Sequence, residues 1–313
     1  MNLTNTTEFN KVHYIREALP VVEQNLVYAK FGQVDEMPRG DGNSFRFIRF
    51  DKLGTTESVN YESNTSGDSP SWAPTTPTAT LINETPDFLS GPGYEWSEAR
   101  QYTSWVDLPK NLRKLISLNA AEVIDLRVRD IIIDGSNVVY ANGLGSRDDL
   151  TDADVIDMDD IFRAVENLKA NSAPGLGKLS GNYAAIISPY TERSLLTDEA
   201  FRDLVEHARA SDEFKGKLGT LGGVDFFVTN HAPHIDNSGS ASSVSSVEQT
   251  LIIGDGAYGV TKILFDNFDI VYTAPGGHGD EWKNKHKLTW KSAMKALILN
   301  DNWMVRLESA RQA

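Results

Sequence analysis

His231 and His234 stand in a His-x-x-His spacing with Asp225 and Asp236 close by, and imidazole and carboxylate donors of this kind can hold a divalent metal. Pro233 and Asn237 place the pair in a loop rather than on the helix that usually aligns such ligands, so the spacing reads first as surface polarity. Gly175-Leu176-Gly177-Lys178 is the nearest approach to a phosphate-cradling loop. It fails because Ser172 occupies the position of the first glycine, and Leu179 stands where a hydroxyl would hold magnesium. His278, in Gly276-Gly277-His278-Gly279, has the setting of a turn residue rather than of a base. The carboxylate pairs Asp148/Asp149 and Asp159/Asp160 lie in an acidic stretch and read as solvated charges at a helix start. No Gly-x-Ser-x-Gly elbow is present, and Gly143, Gly145, Gly222 and Gly223 do not form a dinucleotide fingerprint. Nothing converges on a reaction, so no catalytic residue, cofactor or metal is expected.

The elements that would have to position such residues point elsewhere. The chain has 313 residues, 40% of them hydrophobic, enough for a sizeable core. It has no cysteine, which excludes disulfide frameworks, thiolate metal sites and thiol nucleophiles together. Forty-four acidic against 30 basic residues give a net charge of −14, without the basic face that phosphate binding requires. An acidic wall can still enclose DNA, because repulsion keeps the backbone from adhering to it, although solubility alone accounts for the same charge. No run approaches the roughly 18 apolar residues of a membrane span, and Met1 to Asn10 lacks a secretory layout, so a cytoplasmic, membrane-free protein is expected.

Along the chain, Glu8 to Phe31 carries a helical apolar pattern broken by Pro20, an arm that packs on a neighbour or on its own core. Ser44 to Phe50 is an aromatic-rich run whose partial period-two alternation suits a strand with one greasy and one basic face. The preceding Arg39-Gly40-Asp41 reads as a turn rather than an adhesion motif. Between Gly54 and Pro92 lie five of the twelve prolines among Thr, Ser and Asn, which predicts an exposed irregular excursion. Tyr94, Trp96, Tyr102 and Trp105 then form a second aromatic segment able to return antiparallel to the first. The result is a long two-stranded ribbon, which needs a surface to lie on.

Asp107 can cap a helix with Pro109 in its first turn that runs to Asp134 and Gly135, about 25 residues or roughly 38 Å at 1.5 Å per residue. Glu122, Asp125 and Arg129 are assigned to its wet face. A compact mixed unit follows, with helices over Asp157 to Asn171 and Asp198 to Arg209. Strands are expected at Tyr183 to Ser188, Val224 to Thr229 and Thr250 to Ile253, with a Ser-rich loop at Asn237 to Ser246. Lys287 to Leu307 tends to alternate and predicts long strands beside the rod.

This order of arm, ribbon, rod, α/β unit and terminal strands resembles the capsid proteins of tailed bacteriophages, an α+β fold of the HK-ninety-seven type. Local sequence resembles the N-four-like coat branch at Ala29 to Gln33, Pro38 to Arg49, Val128 to Tyr140, Ile161 to Pro174, Tyr183 to Pro189, Gly219 to Phe226, Gly254 to Val260, Ile298 to Asn300 and Trp303 to Arg306. The ribbon at 54–92 departs from the pattern. The resemblance implies an N-terminal arm at 1–42, an extended loop at 43–106, a spine helix of the peripheral domain at 107–150, an axial domain at 151–265 and returning peripheral strands at 266–313. It implies a major capsid protein without catalysis, whose copies form hexamers and pentamers of an icosahedral shell around double-stranded DNA. A separate scaffolding protein, a portal and a decoration protein are the implied partners, and the virion, assembled in the host cytoplasm, is the implied location.

Phe45, Arg46, Phe47, Arg49, Trp96 and Tyr102 are the candidate inter-subunit contacts, since aromatic and arginine side chains dominate interface hot spots. Competing readings are an encapsulin-like compartment of the same fold, an α/β hydrolase or nucleotide-binding enzyme, and a secreted adhesin. The absent motifs oppose the enzyme, and the absent leader pattern opposes the adhesin. On the capsid reading, Trp96→Ala is expected to weaken assembly more than folding of the subunit.

Overall fold

The computed structural model describes residues 27–37, 44–50, 79–104, 108–199, 201–202, 220–238, 244–263, 269–276 and 280–312. The arm before residue 27, the excursion at 51–78, Trp105, Asp107, the expected helix beyond residue 202, Arg39 to Asp41 and His278 lie outside them. In chain order the elements begin with α1 (Tyr28–Phe31), β1 (Gln33–Met37), β2 (Phe45–Phe50), β3 (Ala79–Glu84), β4 (Asp87–Ser90), β5 (Tyr94–Ser97), α2 (Glu98–Thr103) and α3 (Leu108–Ile132). They continue with β6 (Val138–Tyr140), α4 (Met158–Ala170), β7 (Tyr183–Ile187), α5 (Pro189–Thr197), β8 (Thr220–Leu221), β9 (Val224–Val228) and β10 (His234–Ser238). The last are β11 (Val244–Ile253), β12 (Tyr258–Ile263), β13 (Asp269–Thr273), β14 (Lys285–Ile298) and β15 (Met304–Ala310).

The first sheet is organised by β14. Its 14 residues alternate strictly enough that Leu288, Trp290, Ser292, Met294 and Ala296 all face inward. On one edge it pairs antiparallel with β12 and β13, and β1 extends that side in parallel with β12. On the other edge it pairs with β4 and β5. Ser90 pairs with Lys291 and Tyr94 with Leu288, so residues 91–93 span only residues 289–290, a bulge with one extra residue. Glycine is required there, because a Cβ on Gly91 would sit 1.8 Å from Trp290 Nε1.

The rod α3 lies against the inward face of β14. Ile116, Ala120, Ala121, Ile124, Val128 and Ile132 form one buried stripe at helical spacing, and the two alanines let the helix and sheet approach closely. Trp290, fully buried, donates its Nε1 hydrogen to Asn119 Oδ1 at 3.0 Å. Asp125 is on the buried side as well, contrary to its assignment to the wet face. Its Oδ1 accepts the N–H groups of Tyr28 (2.8 Å) and Ala29 (3.3 Å), which makes it the cap of the short helix α1. Tyr258 completes the attachment by donating its hydroxyl to the carbonyl of Tyr28. Burial pushes the Asp125 carboxyl up to about 6, and the backbone donors of residues 27–29 offset only part of that.

The second sheet runs β6, β15, β11, β7, β9, β8, with β10 on the free half of β11. Tyr183–Ile187 is buried at every position because both faces are covered. Ala184 and Ile186 join the core shared with α3, while Ala185 and Ile187 pack with Ile161, Val165 and Leu168 of α4. Within this sheet Glu308 is fully buried and gathers three partners. Arg147 approaches in a two-pronged contact at 2.6 Å, Arg306 lies at 2.9 Å, and Gln249 donates at 2.9 Å. Burial alone would raise the Glu308 carboxyl, but Arg147, Gln249 and Arg306 outweigh it and hold it below its ordinary value. Arg306 also donates to the carbonyls of Ile133 and Gly135, beyond the last turn of α3, where a cation complements the helix dipole.

Several expectations need correction. β2 pairs with β3, from Phe45 opposite Glu84 to Phe50 opposite Ala79, and not with the aromatic segment at 94–105, whose β5 joins the first sheet. Val244 to Ser246 belong to a strand rather than to the Ser-rich loop, with Ser246 buried. Asp160 is not solvated. It is fully buried in a capping box with Asp157 and accepts the N–H of Asn142 at 2.9 Å, whereas Asp159 is exposed and paired with Arg163. The terminal strands divide between the sheets, with β14 in the first and β15 in the second, while β12, from the expected axial segment, lies in the first.

A carboxyl whose folded value is raised favours the folded state most when protonated, so its contribution declines as pH rises from the unfolded value near 4 to the folded value near 6. The stability difference between wild type and Asp125→Asn, measured by urea unfolding at several pH values, is expected to shift against the wild type by about 3 kcal/mol across that window. A difference that does not vary with pH contradicts this assignment.

Candidate assembly surface

The β2–β3 ribbon has two different faces because successive strand residues point to opposite sides. Phe45, Phe47 and Arg49 turn inward together. Phe47 is buried, with Phe45 edge-on at 5.8 Å, and Gly259 beneath it has no room for a Cβ, which would lie 3.0 Å from the Phe47 ring. Arg49 donates to the carbonyl of Leu299 at 2.9 Å. The inner face is therefore clamped to its own subunit by two aromatic rings and one arginine, rather than being purely greasy.

The outer face pairs Ile48 directly with Leu81, and these are 55% and 50% exposed. Beside them the Arg46 Nε–H donates to Asn83 Oδ1 at 2.5 Å. Two facing aliphatic side chains flanked by an arginine make an apolar centre with a polar edge, the layout of an interface core and rim. Strict period-two alternation, carried through residues 45–49, would have placed Ile48 beside Arg46. The partner Leu81 was concealed in a proline-rich stretch with no aromatic marker.

Of the other candidates, Tyr102 is on α2 and 80% exposed, with its hydroxyl 3.4 Å from Glu98. Trp96 is 6% exposed and internal. Its ring stacks on His286 at 5.3 Å and 8°, Tyr272 bonds to His286 Nδ1 at 2.6 Å, and the indole N–H reaches Gln101. Thus the structure brings Phe45, Arg46, Phe47 and Arg49 together on the ribbon and leaves Trp96 and Tyr102 at the far end of the first sheet. Large exposed side chains missed in sequence are Phe88 on β4 (84%) and Trp282 in the β13–β14 loop (88%). Trp282 had a signal, since a tryptophan between Glu281 and Lys283 in a polar turn has no reason to be core.

The groups considered for chemistry are dispersed. His231 sits 3.5 Å from Glu122, and His234 3.9 Å from Asp236, as separate pairs. Among the described residues no three His, Asp or Glu side chains are grouped to hold a metal ion. Lys178 donates to the carbonyl of Lys30 and borders an open groove of about 730 Å³ lined by Phe31, Val34, Leu176, Asp255 and Trp303, with no nest of N–H groups for a phosphate. No described helix is long and apolar enough to cross a membrane.

No protein-family model matches the chain, and no curated protein sequence matches it. Solved structures do. The capsid of Ralstonia phage GP4 is similar with a TM-score of 0.69 and 13% identity, over 92% of this chain and 89% of that one. The capsid of Cyanophage P-SCSP1u is similar at 0.65 and 13%, over 91% and 88%. The virus-like particle from Pyrococcus furiosus is similar at 0.51 and 17%, over 94% and 98%. The chain has the HK-ninety-seven-type capsid fold, in the mixed α and β form that its sequence resemblance implied.

Because Trp96 is packed within the subunit, Trp96→Ala is now expected to destabilise the monomer itself, by about 3 to 5 kcal/mol in chemical unfolding. A change below about 0.5 kcal/mol would return Trp96 to the list of surface contacts.

Proposed function

We propose that this chain is the major capsid protein of a tailed bacteriophage, on the N-four-like branch, whose copies close an icosahedral shell around double-stranded DNA. The carrying observation is the fold shared with two phage capsids over about nine-tenths of each chain. The apolar outer face of the ribbon, left uncovered by its own subunit, supports the same reading. The role is structural: repeated copies associate as hexamers and pentamers through a modest interface until the symmetry closes.

In this reading the segment at 43–106 is the extended loop, α3 is the spine of the peripheral domain and the second sheet is the centre of the axial domain. The inner face of the ribbon fixes its angle through Phe47 and Arg49, and the outer face with Arg46, Ile48 and Leu81 lies on the next subunit. The excess of acidic residues repels the enclosed genome from the wall. A scaffolding protein, a portal and a decoration protein act in the host cytoplasm, and the mature chain resides in the virion.

A compartment of the same fold enclosing protein cargo is the second reading, and a virus-like particle from Pyrococcus furiosus is among the structures that share the fold. Its TM-score of 0.51 against 0.69 for the phage GP4 capsid places it behind the coat reading. The two differ in their contents, nucleic acid in one and folded protein in the other.

The chain, expressed alone and with its scaffold, is expected to give closed particles in negative-stain images. The paired change Ile48→Asp and Leu81→Asp is expected to leave soluble folded subunits with no particles, since loss of one buried contact can cost about 2 kcal/mol or more and every interface repeats it. Strictly monomeric wild type under both conditions overturns the capsid reading. Normal particles from the variant overturn the role of the ribbon face.

A further inference from the structure

Trp282 is the most exposed of the large apolar side chains described, at 88%, and its loop is built to hold it there. Asp280, nearly buried, accepts the N–H groups of Gly276 (2.9 Å), Asn284 (3.0 Å) and Lys285 (3.0 Å), drawing both ends of the turn onto one carboxylate. Lys283 takes the left-handed conformation at φ 53°, which is uncommon for a residue other than glycine. Lys283 N–H closes the turn on the carbonyl of Asp280 at 3.2 Å. These bonds fix the backbone on both sides of Trp282.

The neighbouring surface is of the same kind. Ser97 pairs with Lys285, and the N–H of Glu98 donates to the carbonyl of Asn284 at 2.8 Å, so α2 is tied to the base of the loop. Tyr102 on α2 is 80% exposed. One end of the first sheet thus carries two largely exposed aromatic side chains, Tyr102 and Trp282. Glu281 and Lys283, both exposed and of opposite charge, flank Trp282, so the patch is complementary to a copy of itself.

We propose that this end of the first sheet is a contact between copies of the chain, separate from the ribbon face, in which Trp282 of one copy is covered by the same loop of another and Glu281 meets Lys283 across the junction. The inference rests on the reading of the chain as a self-assembling subunit. It adds a second contact, in which the same patch serves both sides, as a two-fold contact between copies requires.

The chain contains no cysteine, so a single introduced thiol reports directly on self-contact. Asn284 is exposed in the same loop, and a thiol there leaves Trp282, Glu281 and Lys283 in place. Asn284→Cys subunits, oxidised in the assembled fraction, are expected to yield disulfide-linked dimers. Trp282→Ala is expected to keep the thermal midpoint of the subunit while losing particles at least tenfold in yield. Glu281→Lys alone is expected to lose particles, and Glu281→Lys with Lys283→Glu to recover them. If wild type forms particles, Trp282→Ala forms them equally well and Asn284→Cys gives no dimer, the loop contact is overturned and the shell reading stands. If Asn284→Cys links only when mixed with Gly177→Cys, the loop docks in the groove beside Lys178 and self-contact is overturned; position 177 has open space for the side chain. If wild type never self-associates and no dimer forms, both readings are overturned.

Discussion

The packing of β14 on α3 is the constraint on which the rest of the structure depends. A strand of 14 residues would be a weak element alone, since most of its stability must come from what covers it. Here one face is covered by a 25-residue helix, and both edges are covered by strands drawn from distant parts of the chain. Trp290 is the centre of that contact. Its ring fills the space that Gly91 leaves open, its N–H is satisfied by Asn119, and Ile270 pairs with it across the sheet. Because the bulge at 91–93 lies at the same point, the packing also sets where β4 gives way to β5.

From this frame the two exposed surfaces acquire fixed positions. β12, at one end of β14, provides Gly259 and with it the seat of Phe47, so the ribbon leaves the body from that end. The loop bearing Trp282 precedes β14 at the other end. β14, roughly 46 Å long at about 3.3 Å per strand residue, has the two surfaces toward its opposite ends. The ionic hub at Glu308 performs the corresponding task for the second sheet. Arg306 links β15 to the end of α3, tying the sheet to the rod. Breaking such a hub by removing one partner would leave a buried charge uncompensated.

What was legible in sequence follows from the range of the interactions involved. The positions of α3 and α4 depend on local signals, Pro109 and Gly135 for one and the helical spacing of Ile161, Val165 and Leu168 for the other, and both helices fall where those signals place them. Tyr183–Ile187 was legible because a strand buried on both faces is apolar throughout. Strand partners were not. The choice of Ala79–Glu84 over the aromatic segment as partner of β2 depends on contacts about 30 to 40 residues apart, and the more aromatic segment drew the assignment. The burial of Asp125 and Asp160 was hidden for the same reason. Each carboxylate is held by backbone N–H groups from elsewhere in the chain, and an acidic side chain announces solvent unless those donors are known. Composition was silent on which sheet receives β15, because a three-residue turn at Asp301–Trp303 suffices to carry the chain from one to the other.

On the proposed reading, the apolar ribbon face and the aromatic loop are covered by other copies of the chain. Cryo-electron microscopy of purified particles at side-chain resolution tests this most directly. The account predicts a closed icosahedral wall in which Ile48 and Leu81 of each ribbon are covered by the adjoining subunit. Particles whose ribbons face open solvent, or a chain that forms no closed wall with its scaffold present, would contradict it.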